Sequence, residues 1–363
     1  MSVKIALERL PKMNEEAVSN SKPRSLTINE HLAARGAREP LTTLGEFISH
    51  IHATSARWEH EDWKGREADE QDVLNPVRIV GQVWFRGQRD VAHGLRPGLY
   101  RENTWKYLRK NRGSPQPRTD EFEDNLFQEL FALEHELRID FTSFGHLLNQ
   151  ANHAKEDSDW YFLMQHHALP TRLLDWTTNA LAALFFAAER YREELERLKA
   201  GQQPPSPLIC VWMIDAYWLA DCLSGEWSSP ILAWSEDATR YIPPLKSLAD
   251  KMGDSRALLP VHAMPIEPPA LHPRVASQEG RFVIFGKVQD LLEEKIRLEQ
   301  LEDCTGMEEL RVEQIKMNVA DVDGLLQDLA QLGVSRRTLF PDLAGLADFI
   351  SWKHFHKVRG DQS

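Results

Sequence analysis

The sequence predicts an α+β fold in which a mixed or split antiparallel sheet core is flanked by helices. Two strong helical patterns stand among several short apolar stretches typical of strands, and the two kinds of element do not alternate regularly. Regular alternation would indicate a parallel, doubly wound sheet, so its absence favours α+β. The 363 residues are 42% hydrophobic and 27% charged, as in globular proteins with a core of their own.

Net charge and cysteine content limit which partners and which cellular compartment are expected. The net charge of −12 gives no global positive field toward nucleic acid or an anionic membrane, although a local basic cleft is compatible with it. Cys210, Cys222 and Cys304 lack the paired spacing of a zinc or redox motif. With no apolar leader and no uncharged run long enough to span a bilayer, we expect a cytoplasmic protein with reduced thiols and no membrane partner.

The pattern of apolar residues predicts one domain. Residues 1–40 carry little apolar periodicity and are expected to form a loosely ordered extension. Helical spacing begins at Leu44, and we expect a single domain over residues 41–356 followed by a short tail at 357–363.

Each predicted element has its own signal. Helices are expected at 121–141 and, after the capping residues Thr177, Thr178 or Asn179, over the apolar stripe that precedes Gly201. Apolar runs bounded by proline or charge predict the strands, and further periodic segments predict the remaining helices. The predicted strands are 77–85, 208–214, 281–288 and 310–317, and the further helices are near 291–302, 322–332 and 343–355.

The first candidate cluster is Trp84-Phe85-Arg86-Gly87-Gln88. Arg86 is expected at the end of a strand, beside a glycine that lets backbone approach a ligand closely. A guanidinium fork suits a phosphate, pyrophosphate or carboxylate. The alternative is an arginine that pairs with a carboxylate at the edge of the core.

The second cluster runs from Gln165 to Trp176 and leads into the capped helix. Free N–H groups at that helix start favour an anion, and His166, Arg172 and Asp175 are expected to surround it. Alternatively, Asp175 is a helix-start carboxylate or the partner of Arg172. We expect His166 and His167 on a strand; adjacent strand residues point to opposite faces, so no metal site is predicted.

The third cluster is Arg274 to Phe282, which leads into an apolar strand. Gln278 can hydrogen-bond a sugar hydroxyl or an amide, and Glu279 is a candidate base. The alternative is a turn at Glu279-Gly280 that only starts the strand.

At these residues the chain resembles the FRG-domain family, named for the tripeptide matched by Phe85-Arg86-Gly87. Four blocks match in order, and the resemblance covers roughly residues 42 to 350. Ala168 stands where the family usually has glycine, which we expect to matter little. The family is known as a bacterial and phage module. The blocks are 84–88, 165–187, 274–282 and 339–346.

A more distant resemblance is to the Arg-Ser-Glu type ADP-ribosyltransferases. It implies that Arg86 binds the phosphates or ribose of NAD. It also implies that Thr177 or Thr178 supplies the hydroxyl group that a Ser-Thr-Ser strand provides in those enzymes, where it orders the pocket. If Gln278 begins the Gln-x-Glu motif, Gly280 falls in the glutamate position and Glu279 is one residue out of phase. On a strand that offset turns the side chain to the other face, unless Glu279 lies in a turn or His166 or Asp175 replaces it.

The resemblance implies an NAD-binding, ADP-ribosyltransferase-like effector in a bacterial toxin or phage-defence context. Its acceptor would be a nucleic acid, a protein or NAD itself. The alternatives are a noncatalytic nucleotide-sensing or interaction module, and a nuclease-like phosphodiesterase. The catalytic candidates are Arg86, His166, Asp175 and Glu279, and the ligand-binding candidates are Arg86, Gln88, Arg172, Thr177, Thr178 and Gln278.

Overall fold

A computed structural model describes most of the region predicted to form the domain. The predicted helix near 291–302, the tail after 355 and nearly all of the N-terminal extension lie outside the described residues. Those described are 39–64, 83–92, 94–101, 103–104, 106–108, 120–148, 154–199, 201–224, 229–245, 259–269, 273–287 and 311–355.

One open sheet of seven strands organises the described part of the chain. Its order is β4-β5-β6-β2-β1-β3-β7, and every neighbouring pair is antiparallel except β4 with β5. The predicted α+β class with a mixed sheet is therefore confirmed. The strands are β1 (Val83–Gln88), β2 (Leu173–Thr177), β3 (Leu208–Asp215), β4 (Ile231–Leu232), β5 (Met264–Glu267), β6 (Gly280–Ile284) and β7 (Val312–Asn318).

Helices cover the sheet. Both strongly patterned helices were predicted correctly, and the N-cap of α4 is Asn179, whose side chain accepts from Ala182 N. The helices are α1 (Leu44–Lys64), α2 (Asp120–Gly145), α3 (Asp157–His166), α4 (Ala180–Glu196), α5 (Ala216–Ser224), α6 (Glu236–Tyr241), α7 (Pro273–Ser277), α8 (Val322–Gln331), α9 (Arg336–Leu339) and α10 (Leu343–Phe355). None of the described helices has the length and apolarity needed to cross a bilayer.

Helix α4 packs directly on β1, and a glycine makes this contact close. A Cβ built on Gly87 would lie 1.8 Å from the carbonyl oxygen of Ala183 and 3.1 Å from the amide nitrogen of Ala187. The glycine of the Phe-Arg-Gly tripeptide therefore admits a helix backbone, whereas the sequence suggested that it admits a ligand. Phe85, on the same face by strand alternation, joins the core that α1, α4 and α8 form against this half of the sheet.

The other parts of the sheet have cores of their own. Trp84, Trp176 and Trp212 lie on the opposite face in a cluster with the segment around Tyr100. Near β5 and β6, the aromatic side chains of α3 pack on apolar residues of the sheet. The strands that carry the candidate site residues are therefore held by packing on both faces.

A buried ion pair ties α2 to β2. Arg172 and Glu134 are 0% and 1% exposed, and Arg172 Nε lies 2.8 Å from Glu134 Oε2. The remaining guanidinium donors bond the carbonyl oxygens of Phe285 and Tyr241 at 2.8 and 2.6 Å, and Tyr161 donates its hydroxyl to Glu134. Burial alone would lower the pKa of Arg172, but the adjacent Glu134 carboxylate raises it above the ordinary value.

Candidate functional site

The sheet brings the three sequence clusters side by side. Thr177 of β2 pairs with Phe85 of β1 on one side and with Gly280 of β6 on the other. Arg86 is next to one end of this row and Glu279 is next to the other. Because neighbouring strands lie about 4.8 Å apart, the row from Phe85 to Gly280 is roughly 10 Å long.

Arg86 lies inside β1, two residues before its end, and not at the strand end as predicted. Its Nη1 donates to the backbone oxygen of Asp175 at 2.6 Å and lies 3.7 Å from Asp175 Oδ2. Only Phe85 and Thr177 pair between β1 and β2, whereas β1 pairs with β3 over six residues. The guanidinium therefore bonds to β2 beyond the point where the β1–β2 ladder ends.

The Arg86 guanidinium is not saturated by the protein. Its Nε is buried and has no hydrogen-bond partner among the described residues, and its side chain is 13% exposed. Burial lowers the pKa of Arg86 to about 10, against the opposing attraction of Asp175. The group is still charged at neutral pH and retains an unused donor for an anion.

Asp175 is the exposed carboxylate of this cluster, with 56% of its side chain accessible. Gln165 Nε2, from the last turn of α3, lies 2.9 Å from both carboxylate oxygens. Thr171 Oγ1 donates to Gln165 Oε1 at 2.5 Å and so fixes the orientation of the amide. The alternative that Asp175 pairs with Arg172 is wrong, because Arg172 is in the core with Glu134.

His166 is the last residue of α3, and the expectation that it lies on a strand is wrong. The helix ends in a Schellman motif, in which Ala168 N bonds Gln165 O and Leu169 N bonds Met164 O, both at 3.0 Å. Ala168 occupies the left-handed position of this motif, with φ of 61°. Glycine is favoured there for its conformational freedom, so the exchange for alanine concerns backbone strain more than size.

Glu279 lies in a turn between α7 and β6 with φ of 48°. Thr178 Oγ1 donates to Glu279 Oε2 at 2.7 Å, and Asn179 Nδ2 lies 3.4 Å from Oε1. Strand alternation does not govern a side chain in a left-handed turn, so the one-residue offset does not turn Glu279 away. An exposed carboxylate is thus oriented by the residues that start α4.

Three other candidates make structural hydrogen bonds. Thr177 Oγ1 donates to the Gln278 backbone oxygen at 2.6 Å, which ties β2 to the turn before β6. The Gln278 side chain donates to Leu339 O at 3.0 Å. Gln88 is buried and accepts from the Trp212 indole at 2.8 Å. Arg172 is also buried, so the structure does not place it beside Arg86 and Asp175.

The sequence analysis did not single out Arg274 as a functional residue. Its guanidinium carbon lies 4.1 Å from the centroid of the Phe340 ring. Burial lowers the pKa of Arg274, while Asp342 and, more weakly, Asp175 oppose this shift. The charge of Arg274 thus interacts weakly with the Asp175 carboxylate. The only sequence signal for a role of Arg274 was its position within the third cluster.

No group of three or more His, Cys, Asp or Glu side chains with metal-binding geometry is found in the part of the chain that the structure describes. The arrangement at β1, β2 and β6 instead combines one undersaturated guanidinium, an exposed aspartate and an oriented glutamate. Such a set can bind an anion at one end and stabilise positive charge at the other.

Comparison with known families identifies one segment. Residues 81–196 match the model of the FRG domain. The chain contains an FRG domain. The matched FRG segment holds Arg86, Asp175 and Thr178, whereas Glu279 lies outside it. No curated protein and no solved structure matches the chain.

Proposed function

We propose that this FRG-domain protein binds NAD and acts as an ADP-ribosyltransferase-like or NAD-hydrolysing enzyme. The observation that carries the proposal is the Glu279 carboxylate, exposed on a turn and held by Thr178 Oγ1 at 2.7 Å and by the Asn179 amide at 3.4 Å. A carboxylate fixed in this way can stabilise a positive charge that develops on a sugar carbon.

Arg86 supplies the anion-binding half of the proposed site. Its Nε is buried without a hydrogen-bond partner among the described residues, and an unsatisfied buried donor gains free energy when a ligand oxygen reaches it. Charge-assisted bonds to a phosphate are stronger than bonds to neutral acceptors. We therefore assign the NAD phosphates to Arg86, with the exposed Asp175 nearby as a partner for ribose hydroxyls.

The distance between the two halves supports a dinucleotide. Arg86 and Glu279 adjoin opposite ends of the Phe85–Thr177–Gly280 row, which is roughly 10 Å long at ordinary strand spacing. A pyrophosphate at one end places the attached ribose toward the other. Thr178 and Asn179 then position the Glu279 carboxylate beside that ribose.

The proposed chemistry breaks the bond between the ribose anomeric carbon and the nicotinamide nitrogen. The bonding electrons leave with nicotinamide, which departs as a neutral molecule, and Glu279 stabilises the cationic sugar. A hydroxyl or amine of the acceptor, or water, then forms the new bond to the anomeric carbon and releases a proton. With water the net reaction is NAD hydrolysis; with a nucleic acid or protein it is ADP-ribosylation.

Nicotinamide release from NAD tests the proposal. We expect Glu279→Gln to lower turnover about 100-fold and to leave NAD affinity nearly unchanged. Arg86→Met should weaken NAD binding, measured by calorimetry. The matched controls are exposed residues of α6, Glu236→Gln and Arg240→Met, which should behave as wild type. If the wild type neither releases nicotinamide nor binds NAD, the proposal is refuted.

A noncatalytic nucleotide sensor is the second candidate, because the Arg86 guanidinium already bonds Asp175 O and the Gln278 side chain already bonds Leu339 O. The Gln278 side chain is thereby less available to a substrate, whereas Arg86 keeps its Nε donor for recognition of an anion. NAD binding that depends on Arg86, with no turnover in any preparation, would decide for the sensor. For the toxin role, wild type but not Glu279→Gln should slow the growth of a bacterial host.

A further inference from the structure

A pocket lies along the second half of α4, between that helix, α8 and α10. Its volume is about 290 Å³, and it is lined by charged and aromatic side chains. On α4 its first lining residues are Phe185 and Glu189, six and ten residues after Asn179. At 1.5 Å per residue they lie roughly 9 and 15 Å along the helix axis from Asn179, which contacts Glu279.

The lining carries an excess of negative charge. Four carboxylates, those of Glu189, Glu193, Glu196 and Asp348, face two guanidinium groups, those of Arg192 and Arg336. The lining therefore holds two more carboxylates than guanidinium groups, and each of the four carboxylates lies within ion-pair distance of one of these two arginines. Glu193 also pairs with Arg190 and Arg197 at 3.2 Å, but both arginines are at least 70% exposed, where solvent screens such pairs.

Glu189 gives the pocket a buried acceptor. The residue is 7% exposed, and its Oε1 accepts from Arg336 Nη1 at 2.9 Å. Its Oε2 takes no hydrogen bond from the described residues. Burial raises the pKa of Glu189 and Arg336 opposes this shift, so an additional donor at Oε2 would favour the charged form.

The aromatic side chains add a second kind of contact. Phe185, Phe349 and Trp352 line the same space, and the faces of aromatic rings attract cations. Trp352 Nε1 is buried with no acceptor in the described part of the chain. A ligand that fills the pocket therefore gains from a cationic group toward Glu189 and from an oxygen that accepts from the indole.

We infer that this pocket binds a small organic cation of the amine or guanidine class that also carries an oxygen acceptor. The cation lies against the Glu189 carboxylate and an aromatic ring, and its oxygen accepts from Trp352 Nε1. The inference is independent of the proposed NAD site, because it uses no residue of the row at β1, β2 and β6.

Calorimetry with the full chain tests the inference, with L-argininamide as the probe. L-citrullinamide is the matched neutral compound, because a urea group replaces the guanidinium at nearly the same shape. We expect argininamide to bind at least tenfold more tightly than citrullinamide. Equal binding of the two compounds, or no heat with argininamide up to ~10 mM, would overturn the inference.

Variants separate the role of charge from that of shape. Glu189→Gln should weaken argininamide binding at least tenfold. Because this change also weakens the Arg336 pair and can destabilise the fold, Ala330→Leu is the second variant: it fills the pocket and leaves every charge in place. The control is Asp328→Asn, an exposed change on the same helix. Wild-type affinity in folded Ala330→Leu would show that the compound binds elsewhere and would contradict the inference.

Discussion

Replacing Gly87 with alanine tests how closely α4 rests on β1. The added Cβ would lie 1.8 Å from Ala183 O, and contacts under 3.0 Å are essentially never observed for real Cβ atoms. The helix and strand must therefore separate by at least 1.2 Å, the difference between these two distances. The obstacle is helix backbone and cannot rotate away as a side chain would.

That separation is large relative to van der Waals packing. A gap of 0.5–1 Å already forfeits about a quarter to a half of a contact energy, and α4 buries apolar residues such as Leu184 and Phe185 against the sheet. Overpacking a well-filled core costs about 1–3 kcal/mol and occasionally more. Because the clash is with backbone, we expect Gly87→Ala to lower the free energy of unfolding by about 3 kcal/mol or more.

Gly45→Ala is the matched control for this experiment. Gly45 lies in the first turn of α1, and a Cβ there meets nothing within 4 Å. The same chemical change should therefore leave stability unchanged or raise it by up to about 1 kcal/mol. Urea unfolding followed by circular dichroism measures both variants. If Gly87→Ala lies within about 1 kcal/mol of wild type, the close contact with α4 is not what requires glycine.

Three further changes test other parts of the structure. Ala168→Gly should raise the free energy of unfolding by about 1 kcal/mol, because φ is 61° there; a lower melting temperature would contradict this. Glu134→Gln should lower the free energy of unfolding by about 3–5 kcal/mol, since Arg172 stays buried without a counter-charge. The control is Glu194→Gln, which removes the 46% exposed partner of Arg89. In the same urea assay it should lower the free energy of unfolding by less than about 1 kcal/mol. With the other two cysteines replaced by serine, Cys210 should react with a disulfide reagent at pH 8 only on unfolding, because burial raises the pKa of its thiol to about 12; rapid labelling of the native protein would refute this.

The sequence was most informative about the elements whose signals are local. Apolar runs bounded by proline or charge predicted the strands at 208–214 and 281–288, and helical periodicity with capping residues predicted α4. The helix α3 was not anticipated. A capping box at Glu156 and Asp159 was present as a signal, and it would have placed His166 at a helix end.

The interactions that the sequence did not reveal are between distant residues. Arg172 and Glu134 are 38 positions apart in the sequence. The polar residues around Arg172 form the same sequence pattern whether its side chain binds a ligand or pairs with a buried carboxylate. Gly87 was read as a ligand approach for the same reason, since the helix that contacts it begins 93 residues later in the chain.

The position of Glu279 illustrates a different difficulty. Positive φ is uncommon for glutamate, and the sequence offered a turn at Glu279-Gly280 only as an alternative to a functional role; the structure has that turn. Strand alternation gave the wrong direction for a residue that is in a turn. The motif order suggested that the segments carrying Arg86, Thr178 and Glu279 lie side by side, and the register of β1, β2 and β6 brings these segments together.

The strand order also bears on how the molecule is made. β1 pairs over its whole length with β3, and β2 pairs over its whole length with β6, yet both partners follow the matched segment, which ends at residue 196. During synthesis Arg86 and Asp175 leave the ribosome well before the strands that flank them, and long-range pairing of this kind is slow. Among the described residues, an excised segment of residues 81–196 would contain β1 and β2, which share one residue pair, so the matched segment is part of a larger folding unit.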